Sequence, residues 1–366
     1  MTESSQTCSS NQNINERLVS LLDLHLHKEH GSLYWLQREE QLGINIKDVV
    51  RSTDDLPKLG LTNLADLATR SVWDFLPCAF WKKRQSCIVG ESGGTTGRPT
   101  ATVFTEVDFH AAFIAPFLSV VELTDFPIAT EWLWVGPSGP HIIGKVVREL
   151  TKNLGTPDPW SVDFDPRWVK KTPPNSFAAK RYLAHVIEQV MLLLDRESPE
   201  VLFTTPPVLA ALAEKLNVER RAMFKGIHYG GMAITAAEIN HFKSLYPNAV
   251  HLSGYGNSMC GVALEIEDKQ RTTIDYYSHG ERLIYDVVHL NETDQTEWQS
   301  VETGEAGCVM FHRLDESTFL PNVLERDVAM LIEPALITVK PDWTLNGLRN
   351  PGPPVNQNNK LKIGLY

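Results

Sequence analysis

Apolar and polar positions follow two different periods along this chain. Five short apolar runs have the length of buried β-strands, and they lie at 132–135, 201–203, 249–252, 309–311 and 328–332. Two longer stretches, 176–194 and 207–216, carry apolar residues at helical spacing. Helices that alternate with short buried strands predict an α/β fold in which layers of helices cover a sheet.

Two Thr-x-x-acid sequences predict helix starts. Thr105 and Asp108 form the first of these capping boxes, and Thr235 and Glu238 form the second. Three phenylalanines follow the first box at helical spacing: Phe109, Phe113 and Phe117. We expect them to lie along one side of that helix.

The ends of the chain differ in composition from its centre. Residues 1–13 are rich in Ser, Thr, Asn and Gln, so we expect them to form a frayed, flexible tail. Residues 346–366 include a Pro/Asn-rich run and are expected to form a C-terminal tail. The region 14–345 is predicted to be one large domain, with subdomains at roughly 14–90, 91–255 and 256–345.

Composition excludes several classes of function. The 366 residues include 34 Lys+Arg against 45 Asp+Glu, a net charge of −11, which disfavours nucleic acid and anionic membranes as partners. The N-terminus lacks the basic start and apolar run of a signal peptide, so we expect a cytoplasmic protein. Five scattered cysteines with no CxxC pair predict free thiols rather than disulfides or a zinc site.

A Gly-rich segment between two strand-like runs carries the clearest chemistry. Its backbone N–H groups and hydroxyls are suited to holding phosphate oxygens, and they belong to Ser92, Gly93, Gly94, Thr95, Thr96 and Gly97. The segment is not a Walker A loop, because Gly97 is followed by Arg98 and Pro99 and then by a strand-like run rather than a helix. Strand, loop and strand form a different phosphate-binding geometry.

Residues 93–99, Gly-Gly-Thr-Thr-Gly-Arg-Pro, resemble the phosphate-binding signature of the adenylate-forming superfamily. That superfamily includes acyl-CoA synthetases, peptide-synthetase adenylation domains and luciferases. Residues 56–57 and 63–67 look most like its phenylacetate-CoA ligase branch. Two further segments fall in the family order: 226–235 resembles the Gly-Gly-Ala turn, and 254–259 resembles the Tyr-Gly-x-Thr-Glu motif.

The resemblance implies an enzyme that uses ATP and Mg²⁺ to convert a carboxylic acid into an acyl adenylate and pyrophosphate. It implies catalytic roles for Thr95, Thr96 and Ser258. The nucleotide-binding residues that it implies are Ser92, Gly93, Gly94, Gly97, Arg98, Gly230, Gly231, Met232, Tyr255, Gly256, Asn257 and Asp327. Flat aromatic side chains suit a flat acid, and the predicted acid pocket consists of Trp134, His141, His228, Tyr229 and Ala233.

Two features depart from the family pattern. Met259 occupies the position of the glutamate that would hold Mg²⁺, so the sequence leaves the metal ligand unassigned. Only 39 residues follow Asp327. We therefore expect the large N-terminal domain of the family without its mobile C-terminal lid domain, which carries a catalytic lysine.

Residues 164–170 and the Gly-Asn-Ser form of the tyrosine motif resemble the adenylating proteins of griseoluteic acid biosynthesis, a phenazine antibiotic pathway. This resemblance implies phenazine-1,6-dicarboxylate as the aromatic acid. It also implies a downstream reductase or acyl acceptor protein as partner. A homodimer is left open.

Two other functions remain open from the sequence. In the first, the acyl group passes to an internal thiol, as in acyl-protein synthetases, and the acceptor is Cys260 or Cys308. In the second, the chain binds a nucleotide or an aryl acid without catalysis. The departure at Met259 is the feature that keeps this second alternative open.

Overall fold

The computed structural model describes residues 3–94, 98–173, 176–266, 272–335 and 343–354, with side chains from residue 12 onward. The strands within these ranges are β1 (Ile88–Glu91), β2 (Ala101–Phe104), β3 (Trp132–Val135), β4 (Trp160–Val162), β5 (Val201–Thr204), β6 (Gly226–Tyr229), β7 (Val250–Asn257), β8 (Gly261–Glu265), β9 (Asp275–Tyr277), β10 (Leu283–Leu290), β11 (Trp298–Ser300), β12 (Ala306–Leu314), β13 (Phe319–Ile332) and β14 (Gly347–Gly352).

The helices in the same ranges are α1 (Glu3–His25), α2 (Leu33–Leu42), α3 (Ile46–Val49), α4 (Leu64–Thr69), α5 (Glu106–Phe109), α6 (Ala115–Val121), α7 (Ile142–Asn153), α8 (Pro166–Lys171), α9 (Phe177–Leu194), α10 (Pro206–Lys215), α11 (Val218–Ala222) and α12 (Ala236–Leu245). A π-helical turn, His110–Ile114, joins α5 to α6. None of the helices described is both long and apolar enough to cross a membrane.

Twelve of the described strands form one mixed sheet, and β1 and β2 form a separate antiparallel hairpin. The strand order in the sheet is β11-β10-β12-β13-β14-β9-β8-β7-β6-β5-β3-β4. Strands β4, β3, β5, β6 and β7 run parallel to one another. The remaining pairs are antiparallel, so the sheet has a parallel half and an antiparallel half.

Strand β7 belongs to both halves of the sheet. Tyr229 of β6 pairs with Ser253 in parallel register, and Tyr255 pairs with Ala263 of β8 in antiparallel register. A Cβ on Gly256 would lie 2.0 Å from the carbonyl oxygen of Gly261, so only glycine fits this close approach. The subdomain boundary expected near residue 255 therefore lies inside a continuous strand.

The parallel strands are covered on both faces, as the α/β prediction requires. Successive residues of a strand point to opposite faces, so Leu133 and Leu202 join a core with helices such as α9 and α10. Trp132 and Phe203 join the second core on the other face, together with α7 and the π-helical turn. The α/β architecture of helices layered on a sheet is confirmed.

The elements predicted from the apolar pattern are present. All five apolar runs lie in strands, namely β3, β5, β7, β12 and β13. Helix α9 begins after Ser176, whose hydroxyl accepts a hydrogen bond from the backbone N–H of Ala179. The phenylalanines of the α5–α6 helix, Phe109, Phe113 and Phe117, are all buried in one core cluster.

One of the two predicted capping boxes is complete. Thr235 and Glu238 each accept a hydrogen bond from the other's backbone N–H. The hydroxyl of Thr105 accepts from the N–H of Asp108 at 3.1 Å, but the Asp108 carboxylate accepts from the N–H of Ser317 at 2.8 Å instead of capping the helix. Tertiary contact with the β12–β13 turn therefore replaces the second half of this local motif.

The first helix begins earlier than the composition predicts. Residues 3–13, expected to be frayed, belong to α1 in the structure. The C-terminal part of α1 is anchored, since Leu18 and Leu22 are buried and the side chain of Arg17 donates to the carbonyl oxygen of Leu314 at 2.7 Å. Extension of an anchored helix costs less than starting one, which explains the longer helix.

A fully buried ion cluster joins the hairpin β1–β2 to the main sheet. The carboxylate of Asp315 accepts hydrogen bonds of 2.6 Å from both Arg282 and Arg313. Burial opposes ionisation of Asp315, but the two guanidinium groups outweigh it and keep its pKa below the ordinary value. Arg313 also donates to the hydroxyl of Thr102 at 2.9 Å and to the carbonyl oxygen of Met259 at 3.0 Å.

Replacement of Asp315 by Asn is expected to lower the free energy of unfolding by about 3 to 5 kcal/mol, because two buried guanidinium groups lose their counter-charge. Urea denaturation followed by tryptophan fluorescence measures this change. Glu188→Gln is the control, since Glu188 and Arg181 form an exposed ion pair of 2.6 Å and its removal is expected to leave the midpoint unchanged. Equal midpoints for the two variants would contradict the prediction.

Candidate active site

A cavity of about 380 Å³ opens where the parallel half of the sheet meets the antiparallel half. Its wall includes the Gly-rich segment after β1, the first turns of α7, the end of β6, residues of β7 and part of β13. The carboxyl ends of parallel strands are the usual position of ligand sites in α/β folds. The cavity has a polar end, near the Gly-rich segment, and an apolar end between α7 and β5.

The Gly-rich segment is held in place by its own hydroxyls and by a cation. The hydroxyl of Ser92 accepts hydrogen bonds from the N–H of Thr100 at 2.9 Å and from the hydroxyl of Thr100 at 3.0 Å. Arg167 of α8 donates to the carbonyl oxygen of Ser92 at 3.2 Å and to the carboxylate of Glu91 at 2.6 Å. Gly94 has a φ of 63°, a left-handed conformation that favours glycine.

Cationic side chains converge beside this segment. The Nζ of Lys170 lies 3.5 Å from the carbonyl oxygen of Gly93. Burial, together with the charges of Arg326 and Arg167, lowers the pKa of Lys170 to about 8. Arg98 and Arg326 themselves line the cavity. This end is therefore suited to anions such as phosphate groups.

Carboxylates lie on the side of the cavity formed by β13. The hydroxyl of Tyr255 donates to Asp327 at 3.1 Å, and the side-chain amide of Asn257 donates to Glu325. Glu325 lines both the main cavity and a neighbouring one of about 80 Å³, which also contacts Tyr255 and Asp327. Burial raises the pKa of Glu325 to about 7, with a further contribution from Asp327.

The turn after β7 places a hydroxyl at the cavity. The side-chain oxygen of Asn257 accepts hydrogen bonds from the N–H groups of Met259 at 2.8 Å and Cys260 at 3.0 Å, which fixes the turn. Ser258 lies between Asn257 and Met259 in this turn and lines the cavity. Its buried hydroxyl makes no hydrogen bond within the described part of the chain, so it can bond a ligand.

The apolar end of the cavity is lined by aromatic rings. The ring of His228 is 5.0 Å from that of Phe117 and 4.3 Å from that of Phe203, measured between centroids. Such a surface is suited to a flat, apolar ligand. His141, at the start of α7, lies instead beside the Gly-rich segment, where it pairs with Glu91, and burial and then the charge of Arg167 lower its pKa.

Most of the sequence-predicted residues lie around one space. Those that line the main cavity are Ser92, Gly93, Gly94, Arg98, His141, His228, Tyr229, Gly230, Gly231, Gly256, Asn257 and Ser258. Tyr255 and Asp327 line the smaller neighbouring cavity. Thr95, Thr96 and Gly97 lie outside the described residues.

Three predicted residues do not line the cavity. Trp134 is buried on β3, where its ring packs against Phe203 at 4.6 Å; it belongs to the same core cluster as the cavity-lining Phe203 and Phe117 but does not itself line the cavity. Met232 and Ala233 follow the Gly-Gly turn and continue away from the cavity toward β14, where Ala233 faces Gly352. Trp134 thus contacts the cavity wall through Phe203, and its role in the pocket stays a prediction.

Sequence reasoning missed four charged residues of the site. Arg167 and Lys170 lie more than 70 positions from the Gly-rich segment that they contact, and Glu325 lies 68 positions from Asn257. Arg326 adjoins the predicted residue Asp327 on β13 but was not itself predicted. The sequence signal that could have identified Arg167 and Lys170 is the segment 164–170, which contains both and which resembles the adenylating proteins named above.

Neither candidate thiol has the environment of a nucleophile. Cys260 is fully buried, and burial raises its pKa to about 12. Cys308 lies on β12, and burial also raises its pKa. Since the thiolate is the reactive form, these shifts disfavour transfer of an acyl group to either residue.

The described residues contain no group of three or more His, Cys, Asp or Glu side chains that could hold a metal ion alone. Mg²⁺ at nucleotide sites is usually held by one or two carboxylates together with phosphate oxygens and water. Glu325 fits that requirement, because its carboxylate lines the cavity that also contacts the Gly-rich segment.

The fold is similar to that of solved acyl-CoA ligase structures. 2-Hydroxyisobutyryl-CoA ligase, solved with 2-HIB-AMP and CoA in the thioesterification state, aligns with a TM-score of 0.66 at 15% identity, covering 94% of this chain and 68% of the ligase. The same ligase in the postadenylation state aligns with a TM-score of 0.67 at 14% identity, covering 94% and 67%. No protein-family model and no curated protein sequence matches. The chain thus shares its fold with the part of this ligase that the alignment covers.

Replacement of Lys170 by Met is expected to weaken the binding of inorganic pyrophosphate about tenfold, because one charge-assisted contact is lost. Isothermal titration calorimetry measures the dissociation constant. Lys171→Met is the matched control, since Lys171 is the exposed neighbour on the same helix and makes no hydrogen bond or ion pair with the described residues of the Gly-rich segment. An equal loss in both variants would show that only the overall charge matters.

Replacement of Glu325 by Gln is expected to raise Tm at pH 8 and to leave it almost unchanged at pH 5. The pKa of Glu325 is about 7 in the folded protein against 4.5 ordinarily, so ionisation of Glu325 destabilises the fold progressively as the pH rises from about 5 to 8. Differential scanning fluorimetry across this range measures the effect. Glu214→Gln, an exposed glutamate on α10, is the control, and a parallel pH profile for both variants would contradict the assignment.

Proposed function

We propose that this chain activates an aromatic carboxylic acid with ATP and releases pyrophosphate. In the reaction, a carboxylate oxygen forms a bond to the α-phosphorus, and the bond from that phosphorus to the bridging oxygen of the pyrophosphate breaks. The products are an acyl adenylate and pyrophosphate, so atoms and charge balance. The observation that carries the proposal is a single cavity with a cationic, Gly-rich end and an aromatic end.

The residues at the polar end neutralise charge during this step. Two anions must meet, the acid and the α-phosphate, and their repulsion is reduced by fixed donors and cations. The backbone of Gly93 and Gly94 and the guanidinium of Arg98 line the cavity where the phosphate chain would lie. The unpartnered hydroxyl of Ser258 is positioned to donate a hydrogen bond to a phosphate oxygen.

The nucleoside would occupy the side formed by β7 and β13. Tyr255 offers an aromatic face, and Asp327, hydrogen-bonded to it at 3.1 Å, offers a carboxylate that can accept from ribose hydroxyls. Glu325 would hold Mg²⁺ in place of the glutamate that Met259 replaces. That ion would neutralise phosphate charge when bound.

The acid would bind with its ring at the apolar end and its carboxylate toward the Gly-rich segment. Phenazine-1,6-dicarboxylate, the acid suggested by the sequence resemblance, is a flat tricyclic molecule and suits a surface formed by Phe117, Phe203 and His228. We further propose that the acyl adenylate passes to a partner reductase. The buried state of Cys260 favours such an external acceptor over an internal thiol.

Exchange of radiolabel between pyrophosphate and ATP tests the activity. With Mg²⁺, exchange is expected to depend on one aromatic acid from a panel of phenazine-1,6-dicarboxylate, phenazine-1-carboxylate, 1-naphthoate and benzoate, with 2-hydroxyisobutyrate as the aliphatic comparison. Lys170→Met is expected to reduce exchange and Lys171→Met to retain it. Calorimetric binding of AMP or of an acid with no exchange for any acid would instead identify a non-catalytic binding protein.

A further inference from the structure

The protonated nitrogen of His228 can be assigned from its hydrogen bond. The Nδ1 atom lies 3.0 Å from the carbonyl oxygen of Leu252 on the neighbouring strand β7. A carbonyl oxygen only accepts hydrogen bonds, so Nδ1 carries the proton and donates it. In the neutral ring the other nitrogen, Nε2, then holds a lone pair and acts as an acceptor.

The surroundings of His228 keep its ring neutral. The side chain is 4% exposed, and burial lowers its pKa to about 4. Its nearest rings are those of Phe117 and Phe203, which offer no polar atom.

The Nε2 atom has no hydrogen-bond partner within the part of the chain that the structure describes, although His228 lines the cavity. A buried acceptor that loses contact with water costs free energy unless a ligand supplies a donor. The apolar end of the cavity therefore contains one specific polar requirement within an otherwise aromatic surface.

We infer that the acid activated by this chain carries a hydrogen-bond donor on its ring system, at the end remote from the reacting carboxylate, and that His228 Nε2 accepts from it. This inference rests on the proposed function and specifies its substrate class. It makes His228 a specificity-determining residue. Hydroxyl, amino and ring N–H groups satisfy the requirement, and an ether or ester of the same size does not.

The need for a hydrogen-bond donor at Nε2 also determines the protonation state in which a dicarboxylic acid can bind. A second carboxyl group that reaches Nε2 must bind in its protonated form, because an ionised carboxylate has no proton to donate and would face a lone pair among aromatic rings. Phenazine-1,6-dicarboxylate therefore meets the requirement as its monoanion. Its monomethyl ester has nearly the same shape and lacks the donor.

Matched pairs of acids test the inference with the full-length protein. Each hydroxy-1-naphthoate is compared with the methyl-1-naphthoate substituted at the same position, and phenazine-1,6-dicarboxylate is compared with its monomethyl ester. Calorimetric dissociation constants are measured in the presence of AMP. We expect at least one pair in which the donor-bearing acid binds about tenfold more tightly, the size of one buried hydrogen bond.

Variants at His228 and His241 test whether the preference for donor-bearing acids depends on His228. His228→Phe is expected to abolish the ratio within that pair, and His228→Gln, whose Oε1 can accept at a similar position, is expected to retain part of it. His241→Phe replaces an exposed histidine of α12 and is expected to keep the wild-type ratio. The ratio is taken within each variant, so a general loss of affinity or stability does not change it.

The outcomes separate this inference from the proposed function. Acid-dependent exchange without a preference in any pair, or with a preference that His228→Phe retains, would overturn the inference and leave the activation reaction standing. Absence of both exchange and acid binding would overturn the proposed function. A preference for the methyl or ester member of every pair would show that Nε2 is desolvated without a partner, which also contradicts the inference.

Discussion

The buried carboxylate of Asp315 organises the contact between the Gly-rich segment and the sheet. Two guanidinium groups, those of Arg282 and Arg313, are fixed by this one carboxylate. Their remaining N–H groups donate to backbone carbonyls of the β7–β8 turn and of β2, at 2.8 Å to Cys260 and 3.0 Å to Val103. A buried charge needs a partner, so neither arginine can hold these carbonyls without the carboxylate. The hairpin that carries the Gly-rich segment is thereby positioned by an interaction that lies outside the cavity.

The change from parallel to antiparallel pairing explains why the cavity lies where it does. In the parallel half, strands end together at one edge and leave a crevice, which the turn after β6 borders. In the antiparallel half, β13 runs past the same crevice and contributes Glu325, Arg326 and Asp327 in succession. Strand β7 belongs to both halves of the sheet, so side chains from both halves line the same cavity. The mixture of apolar, cationic and acidic walls follows from this topology.

Site residues that belong to local motifs could be predicted from the sequence. Site residues that reach the cavity only through packing of distant segments could not. Strand, Gly-rich loop and strand form a local unit, as do the strand β7 and its Asn257 turn, and their residues were identified from local motifs. Lys170 and Glu325 belong to the site only because α8 and β13 pack against it, which no local pattern encodes. Trp134 was assigned to the pocket from its residue type, and it packs against the cavity-lining Phe203 on the same face of the sheet without lining the cavity itself. The N-terminal extent of α1 was likewise missed, because residues 3–13 continue a helix whose anchoring contacts, such as those of Leu18 and Arg17, lie outside that polar segment.

The cavity separates charge from apolar surface, and this separation restricts how a ligand can lie. Cations gather at the Gly-rich end, where Lys170 has a lowered pKa because burial and two arginines disfavour its protonated form. An anion bound there relieves that repulsion, so a carboxylate and a phosphate chain both gain from the same end. At the other end, a neutral histidine and aromatic rings offer nothing to a second negative charge. Under the proposed function, an acid with one ionised carboxylate and a neutral, flat remainder would therefore bind in a single orientation, with its reacting oxygen toward the phosphates.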